Sequence, residues 1–332
     1  LSLNMNMRRA AQSAGLMLSA SVESLGPICK RLTLSPSSFR AADAIALQHE
    51  LDACASRPTT AAVMHASGIT GSDSRWLCRA TPVERAKHFQ SISNLLRTMG
   101  SGDLPTVAVM DGVVTGPTLG VGVHAIACVV TERTSMSLPG PAHGFVPESF
   151  ATYQLARLQP AGLGAYLTLT GAALTGAEMM ELGLATHATE SQAIRHIERE
   201  LSQQTTRHVG RTLRNVELAC IEPRQESYTE AHALYHRAMI AECFAEPTVA
   251  QVMGKLRAGN TEWHAQALYA LERSSPLALT LTMEALTAAA RDVCWTEVLQ
   301  AESELCAAAA GSLDYKRGAN SLARTKAMLL EE

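Results

Sequence analysis

The chain alternates short apolar runs with longer stretches of helical period, and this alternation limits its fold more than any other feature. Thr60 to His65 (TAAVMH) and the TVAVM after Pro105 are almost continuously apolar and too short for a buried helix. Each therefore reads as a strand covered on both faces. Lys30 to Leu34 (KRLTL) reads as a shorter strand, followed by a turn at Ser35-Pro36-Ser37-Ser38. Ala41 to Ala55 places Ala44, Leu47, Leu51 and Cys54 on one helical face. Gly68 to Ser74 (GITGSDS) predicts a turn, and Thr81-Pro82 opens a second helix with the stripe Val83, Ala86, Phe89, Ile92, Leu95, Leu96 and Met99. Strand, helix, strand, turn, helix, strand is the order of an α/β domain.

Further strands are expected over Val121 to Val130, which would hold His124, and over Ser135 to Leu138, with helices over Ala151 to Leu158 and Leu163 to Leu169. Thr175 with Glu178 three residues later predicts a capping box, and Gly183 a stop for the helix it opens. Beyond Ser191 strand signals give way to helical periodicity, broken near Glu222-Pro223, Glu246-Pro247 and Ser275-Pro276. The expected organisation is an N-terminal targeting or extended segment over 1–28, an α/β core over 29–190 and a helical C-terminal region over 191–332.

Composition narrows the function classes. With 47% hydrophobic residues the chain can fill a large core, and with only 4% aromatics that core is mostly aliphatic. A net charge of −3 offers no global basic field for nucleic acid, so any RNA contact must be local. Eight cysteines without a CxxC pair argue for free thiols rather than a zinc site. No apolar run reaches the roughly 20 residues of a membrane span. From Leu1 to about Ser38 the chain is rich in Ser, Ala, Leu and Met, with Arg8, Arg9, Lys30 and Arg31 against the single acid Glu23. That bias suits mitochondrial import, against the blander reading of a disordered tail.

The most specific stretch is TVAVMDGVVTGPTLGVGVHAI, a strand running into a Gly-rich turn from Asp111 to Gly122. It lacks the Gly-Lys-Ser/Thr ending of a P-loop and the GxGxxG spacing of a dinucleotide site. It resembles the turn of the crotonase (enoyl-CoA hydratase/isomerase) superfamily in which a helix N-terminus meets an acyl-CoA thioester. Leu138-Pro139 with AHGFVP (Ala142 to Pro147), GLATH (Gly183 to His187), and the tail from Cys243-Phe244 through Ser275-Pro276-Leu277 to Leu313-Asp314-Tyr315-Lys316-Arg317-Gly318 are similar to the 3-hydroxyisobutyryl-CoA hydrolase branch. The resemblance spans roughly residues 28 to 320. It implies a crotonase-type spiral of ββα units with a helical C-terminal annex.

It also implies where the chemistry should sit. Family members stabilise thioester charge with two backbone N–H groups, and the matching positions here are Thr70 and Pro117. Proline has no N–H to give, and losing one oxyanion donor costs about 10²–10³ in rate. The branch also uses two carboxylates. The first matches Gly140, which has none, and the second matches Glu148, a longer acid that reads either as a base without its partner or as a solvated surface acid. Only Gly71-Ser72-Asp73 remains of the family's Gly-Gly-Asp, and bulky Arg75-Trp76 follow where the acyl-CoA pocket would be shaped. His124 reads as a core histidine, and His143 is assigned no chemistry. Arg207, Arg211 and Arg214, at i, i+4 and i+7, would form one basic helical stripe: a solvated face, or a contact with RNA phosphate or an acidic partner.

The resemblance therefore implies a catalytically inactive protein, with no cofactor or metal. A degenerate relative of the hydrolase serves in the small subunit of the mitochondrial ribosome, and this chain looks like such a protein, with ribosomal proteins and local rRNA as partners in the matrix. The alternatives are an active 3-hydroxyisobutyryl-CoA hydrolase using Glu148, and an acyl-CoA-binding regulatory module, ranked lowest because Pro117 and Arg75-Trp76 alter the pocket itself.

Overall fold

The computed structural model describes residues 20–25, 29–34, 39–56, 59, 61–66, 71–101, 103–221, 227–291 and 293–319. Six strands form one sheet in the order β1 (Ala20–Ser24), β2 (Cys29–Leu34), β3 (Ala61–Ala66), β4 (Thr106–Met110), β6 (Ala127–Thr131) and β9 (His187–Thr189). β1 runs antiparallel to β2, and every other pair is parallel. A second, three-stranded sheet joins β5 (Val113–Val114), β7 (Ser135–Met136) and β8 (Leu174–Thr175). β1 lies inside the stretch expected to be a targeting or extended segment.

The sheet is apolar on both faces because each face has its own core. Ala62, Met64, Ala108, Met110, Cys128 and Val130 point into the larger cluster, while Val63, Val107, Val109, Ala127 and Val129 point into the smaller one. This two-sided burial is why TVAVM reads as an unbroken apolar run. The larger side is covered by α1 (Ala41–Ala55), α3 (Pro82–Gly100) and α4 (Pro117–His124). α8 (Ile194–Ser202) and α9 (Val209–Ala219) cover the other side through Ile194, Ile197, Leu201, Val216 and Ala219.

The expected helices over 41–55 and from Pro82 onward form, the latter capped by Thr81 and Glu84 in a reciprocal box. On α3 the buried face is His88, Phe89, Ile92, Ser93, Leu95, Leu96 and Met99. Val83 and Ala86, expected in that stripe, are exposed, because the first turn projects past the core. Ser74, expected in a turn, instead opens a short helix, α2 (Ser74–Arg79), capped by the Asp73 carboxylate, which accepts from the Trp76 N–H. The expected turn at 35–38 lies outside the described residues.

The expected strand over Val121 to Val130 is corrected. Pro117 starts α4, which runs to His124, and only Ala127–Thr131 is strand. Glycines at 120 and 122 let this helix press onto the sheet: a Cβ on Gly122 would lie 1.7 Å from Met110 Cε, and one on Gly120 would lie 2.7 Å from the Ser149 carbonyl oxygen. Close packing thus sets the local structure, overriding the helix propensity that glycine lowers.

After α5 (Ala151–Leu155) and α6 (Leu163–Thr170), α7 (Gly176–Glu181) carries the expected Thr175–Glu178 capping box, and Gly183 follows with φ of 69°. Among the described residues no strand follows β9, and α9 is succeeded by α10 (Arg237–Phe244), α11 (Val249–Ala258), α12 (Glu262–Glu272) and α13 (Pro276–Ala289). α14 (Trp295–Ala309) packs along α3, and Leu299, Cys306, Ala309 and Ala310 enter the larger core.

Candidate functional site

Three turns converge on a cavity of about 740 Å³. The first, Gly71-Ser72-Asp73, follows β3 and leads into α2. The second, Thr115-Gly116, precedes α4. The third runs from Pro139 and Gly140 to Pro147 and Glu148. Arg75 and Trp76 line the cavity, as the sequence suggests, and Tyr315 and His143 contribute from other walls.

Gly116 caps α4 with φ of 56°, a conformation that favours glycine. A Cβ there would sit 2.7 Å from Glu148 Oε1 and 3.4 Å from Gly71 Cα, so the two turns and the carboxyl nearly touch. Pro117 is the first residue of the helix and is buried. The proline fits this position well, since its φ is preset and N1 has no intrahelical acceptor for an N–H, but the same feature leaves position 117 with no proton to donate. Gly140 lines the cavity and brings no side chain. Thr70 lies outside the described residues.

Glu148 is not a solvated surface acid: it is 8% exposed, and burial pushes its pKa up to about 7. Its Oε2 accepts from the Ser72 hydroxyl at 3.0 Å, and the Ser72 hydroxyl also lies 3.0 Å from His88 Nε2. His88 is fully buried beside Trp76 and Phe89, and burial depresses its pKa to about 4, so the ring is neutral. Its Nδ1 has no partner. The least costly arrangement has Nε2–H donating to Ser72 and Ser72 donating to the carboxylate, leaving only an unprotonated ring nitrogen against apolar atoms. Sequence reasoning missed His88, although it shares the buried face with Ile92 and Leu95, where a polar side chain needs a partner.

The turn carrying Glu148 is strained. Ser149 and Phe150 both have positive φ, 66° and 71°, without being glycine. Glu302 on α14 holds them there: buried at 4% exposure, it accepts from Phe150 N–H at 2.5 Å, Thr152 N–H at 3.1 Å and the Thr152 hydroxyl at 2.6 Å. Burial raises its pKa to about 7 against the opposing pull of these donors. Nearby, the Cys306 thiol faces the Pro147 carbonyl at 3.4 Å, and burial pushes its pKa well up.

His124 sits at the end of α4 rather than in a strand, with Nδ1 2.8 Å from the Gly120 carbonyl oxygen and its ring packed on Phe150 and Trp295, a core role. The three arginines do not form one stripe. α9 begins at Val209, and Arg207, ahead of it, turns its guanidinium inward to the carbonyls of Cys54, Ala55 and Thr59 at 2.8–3.0 Å. Arg211 and Arg214 remain exposed on the helix. Among the described residues no cluster of His, Cys, Asp and Glu could hold a metal, and no helix is long and apolar enough to cross a membrane.

Against known proteins, the family model described as "Enoyl-CoA hydratase/isomerase" matches residues 42–328. The chain is 30% identical over 214 residues to the Arabidopsis thaliana "3-hydroxyisobutyryl-CoA hydrolase-like protein 1, mitochondrial", covering 63% of this chain and 52% of that protein. It is 29% identical over 203 residues to the Arabidopsis thaliana "Small ribosomal subunit protein mS47", covering 60% and 48%. The match thus spans about half the length of these relatives. Among solved structures, a carnitinyl-CoA dehydratase from Mycobacterium thermoresistibile superposes with a TM-score of 0.81 at 26% identity, over 92% of this chain and 89% of that one.

Proposed function

The chain belongs to the enoyl-CoA hydratase/isomerase family, and on that premise we propose that it is an inactive member serving as a structural component of the small subunit of the mitochondrial ribosome. Pro117 carries the first half of this reading. Where the family's hydrolases direct a backbone N–H at the developing oxyanion, the first residue of α4 has none, and about 10²–10³ in rate goes with it. Gly140 removes the matching acid from the cavity wall, and the other acid lining the cavity, Asp73, is engaged by the Arg40 guanidinium and the Trp76 N–H rather than offered to Glu148 for dividing the proton transfers. Similarity to protein mS47 and the basic, acid-poor composition of residues 1–38 support the ribosomal and mitochondrial half.

Two measurements test it. Purified, folded protein is expected to hydrolyse 3-hydroxyisobutyryl-CoA no faster than buffer does. A tagged copy in its own cells is expected to sediment with small ribosomal subunits from lysed mitochondria; recovery as a free monomer at low salt would overturn the ribosomal assignment.

One observation favours the second reading, a retained thioester hydrolase. A buried carboxyl with a pKa of about 7 in an open cavity is tuned for general base catalysis near neutral pH. That reading predicts turnover that rises as Glu148 ionises and disappears in Glu148→Gln.

A further inference from the structure

The chain as a whole is acidic, at −3, yet the helical hairpin of α8 and α9 is not: residues 194–219 hold five arginines against three glutamates. Two of these charges are already engaged. Arg207 is directed at the backbone carbonyls described above, and Glu198 is buried between Arg31 and His65, at 2.5 and 2.8 Å. What remains on the outer side of the hairpin is Arg195, Arg199, Arg211 and Arg214, all exposed, with Glu200 and Glu217 as the only acids. Glu200 reaches Arg199 at 3.7 Å, a loose contact with 59% of the arginine side chain still exposed. Arg195, Arg211 and Arg214 make no ion pair among the described residues.

The fold keeps all four charges off the sheet. α8 and α9 each turn their apolar residues, Ile194, Ile197 and Leu201 on one and Val216 and Ala219 on the other, onto the same sheet face. Their opposite sides therefore form one outward layer. Arg195 and Arg199 are one helical turn apart, about 6 Å along the axis, and Arg211 and Arg214 about 4.5 Å. Neighbouring helices lie about 8–10 Å apart. The result is a two-dimensional array of planar guanidinium groups, which suits a row of phosphates better than a single carboxylate.

We infer that this outer face of the hairpin docks on the phosphate backbone of folded RNA. Residues 194–219 contain no Phe, Tyr or Trp on which an unstacked base could lie, so recognition is of backbone in a double-helical segment and not of single-stranded sequence. This deepens the ribosomal reading and rests on it only for which RNA is bound.

The test uses the full chain and a labelled RNA stem-loop, with binding followed by fluorescence anisotropy over a series of KCl concentrations. Binding is expected to weaken steeply with salt, with a log–log slope of about −3.5 for four phosphate contacts. Each single substitution, such as Arg195→Gln or Arg214→Gln, is expected to reduce that slope by about one, and the quadruple Gln variant to bind roughly tenfold to a hundredfold more weakly at low salt. Salt-independent binding, or a quadruple variant that binds like the parent, overturns the inference. Cross-linking in isolated mitochondria separates it from the reading beneath it. If the protein co-sediments with small subunits but this face cross-links to a protein neighbour, the RNA inference fails and the ribosomal reading stands. If the protein sediments free while the stem-loop still binds through the four arginines, the ribosomal reading fails and the RNA surface stands.

Discussion

At residue 148 the carboxyl is both the surviving acid of the cavity and a liability to the fold. Its pKa is raised from 4.5 to about 7 by burial. Between those values the unfolded chain has already lost the proton that the folded chain still holds, so each increment of pH favours unfolding. The contribution is complete below about pH 4.5 and is lost as pH rises through 7, amounting to about 3 kcal/mol for a shift of this size. Glu148→Gln keeps the shape and the acceptor for the Ser72 hydroxyl while removing the charge. We expect its stability relative to the parent to grow by about 3 kcal/mol between pH 4 and pH 8, as measured by urea denaturation of both proteins at each pH. A stability difference between parent and variant that stays constant over that range would show the carboxyl to be ionised and well solvated, since the neutral buried His88 affects both proteins alike.

At the level of elements, one contact joins α14 to the strained turn after Glu148. Without the Glu302 carboxylate, two buried N–H groups, of Phe150 and Thr152, lose their acceptor at about 1–3 kcal/mol each, while Ser149 and Phe150 keep their unfavourable φ. Glu302→Ala is therefore expected to destabilise the protein by about 3 kcal/mol or more, and Thr152→Val, which removes one hydroxyl partner, by about 1 kcal/mol. Equal effects in denaturant melts would mean that the turn holds itself. This tie was not legible in the sequence, because Glu302 is paired across 150 residues and nothing local marks it except its place between Leu299 and Cys306 on an apolar face. What was legible followed from local rules. The α3 start at Thr81-Pro82, the box at Thr175 and Glu178 and the two-faced strands all depend on neighbours within four residues or on a period. Val121 to Val130 misled because glycines at 120 and 122, which weaken a helix in isolation, are what let one lie on Met110 and against Ser149. Arg207 misled because helical spacing says nothing about where a helix begins. Pro117, Gly140 and Glu148 could be placed only by resemblance, and the structure brings Gly140 and Glu148 to one cavity with Gly116 beside Pro117.

For the whole molecule, the change from α/β to all-helical sequence near residue 190 invites a division into two folding units, but neither core respects it. The larger cluster takes Leu299, Cys306 and Ala309 from α14 and Ala310 just after it, along with the sheet residues, and the smaller cluster is closed by Ile194, Ile197, Leu201, Val216 and Ala219 from α8 and α9. A chain ending at residue 190 would leave Val63, Val107, Val109 and Val129 facing water across one whole side of the sheet, and would release the turn at Ser149 and Phe150 from its anchor on α14. Four fully buried valines contribute about 1.5–3 kcal/mol apiece, a loss comparable with the entire stability of an ordinary domain. The truncated chain is therefore expected to be insoluble or to lack fixed tertiary packing, visible as a lost near-ultraviolet dichroism signal, while the full chain unfolds in one calorimetric transition with matching calorimetric and van't Hoff enthalpies. Two resolved transitions, or a folded and soluble 1–190 fragment, would show that the helical region is an independent domain. In that event the basic hairpin of α8 and α9 would be free to move relative to the cavity.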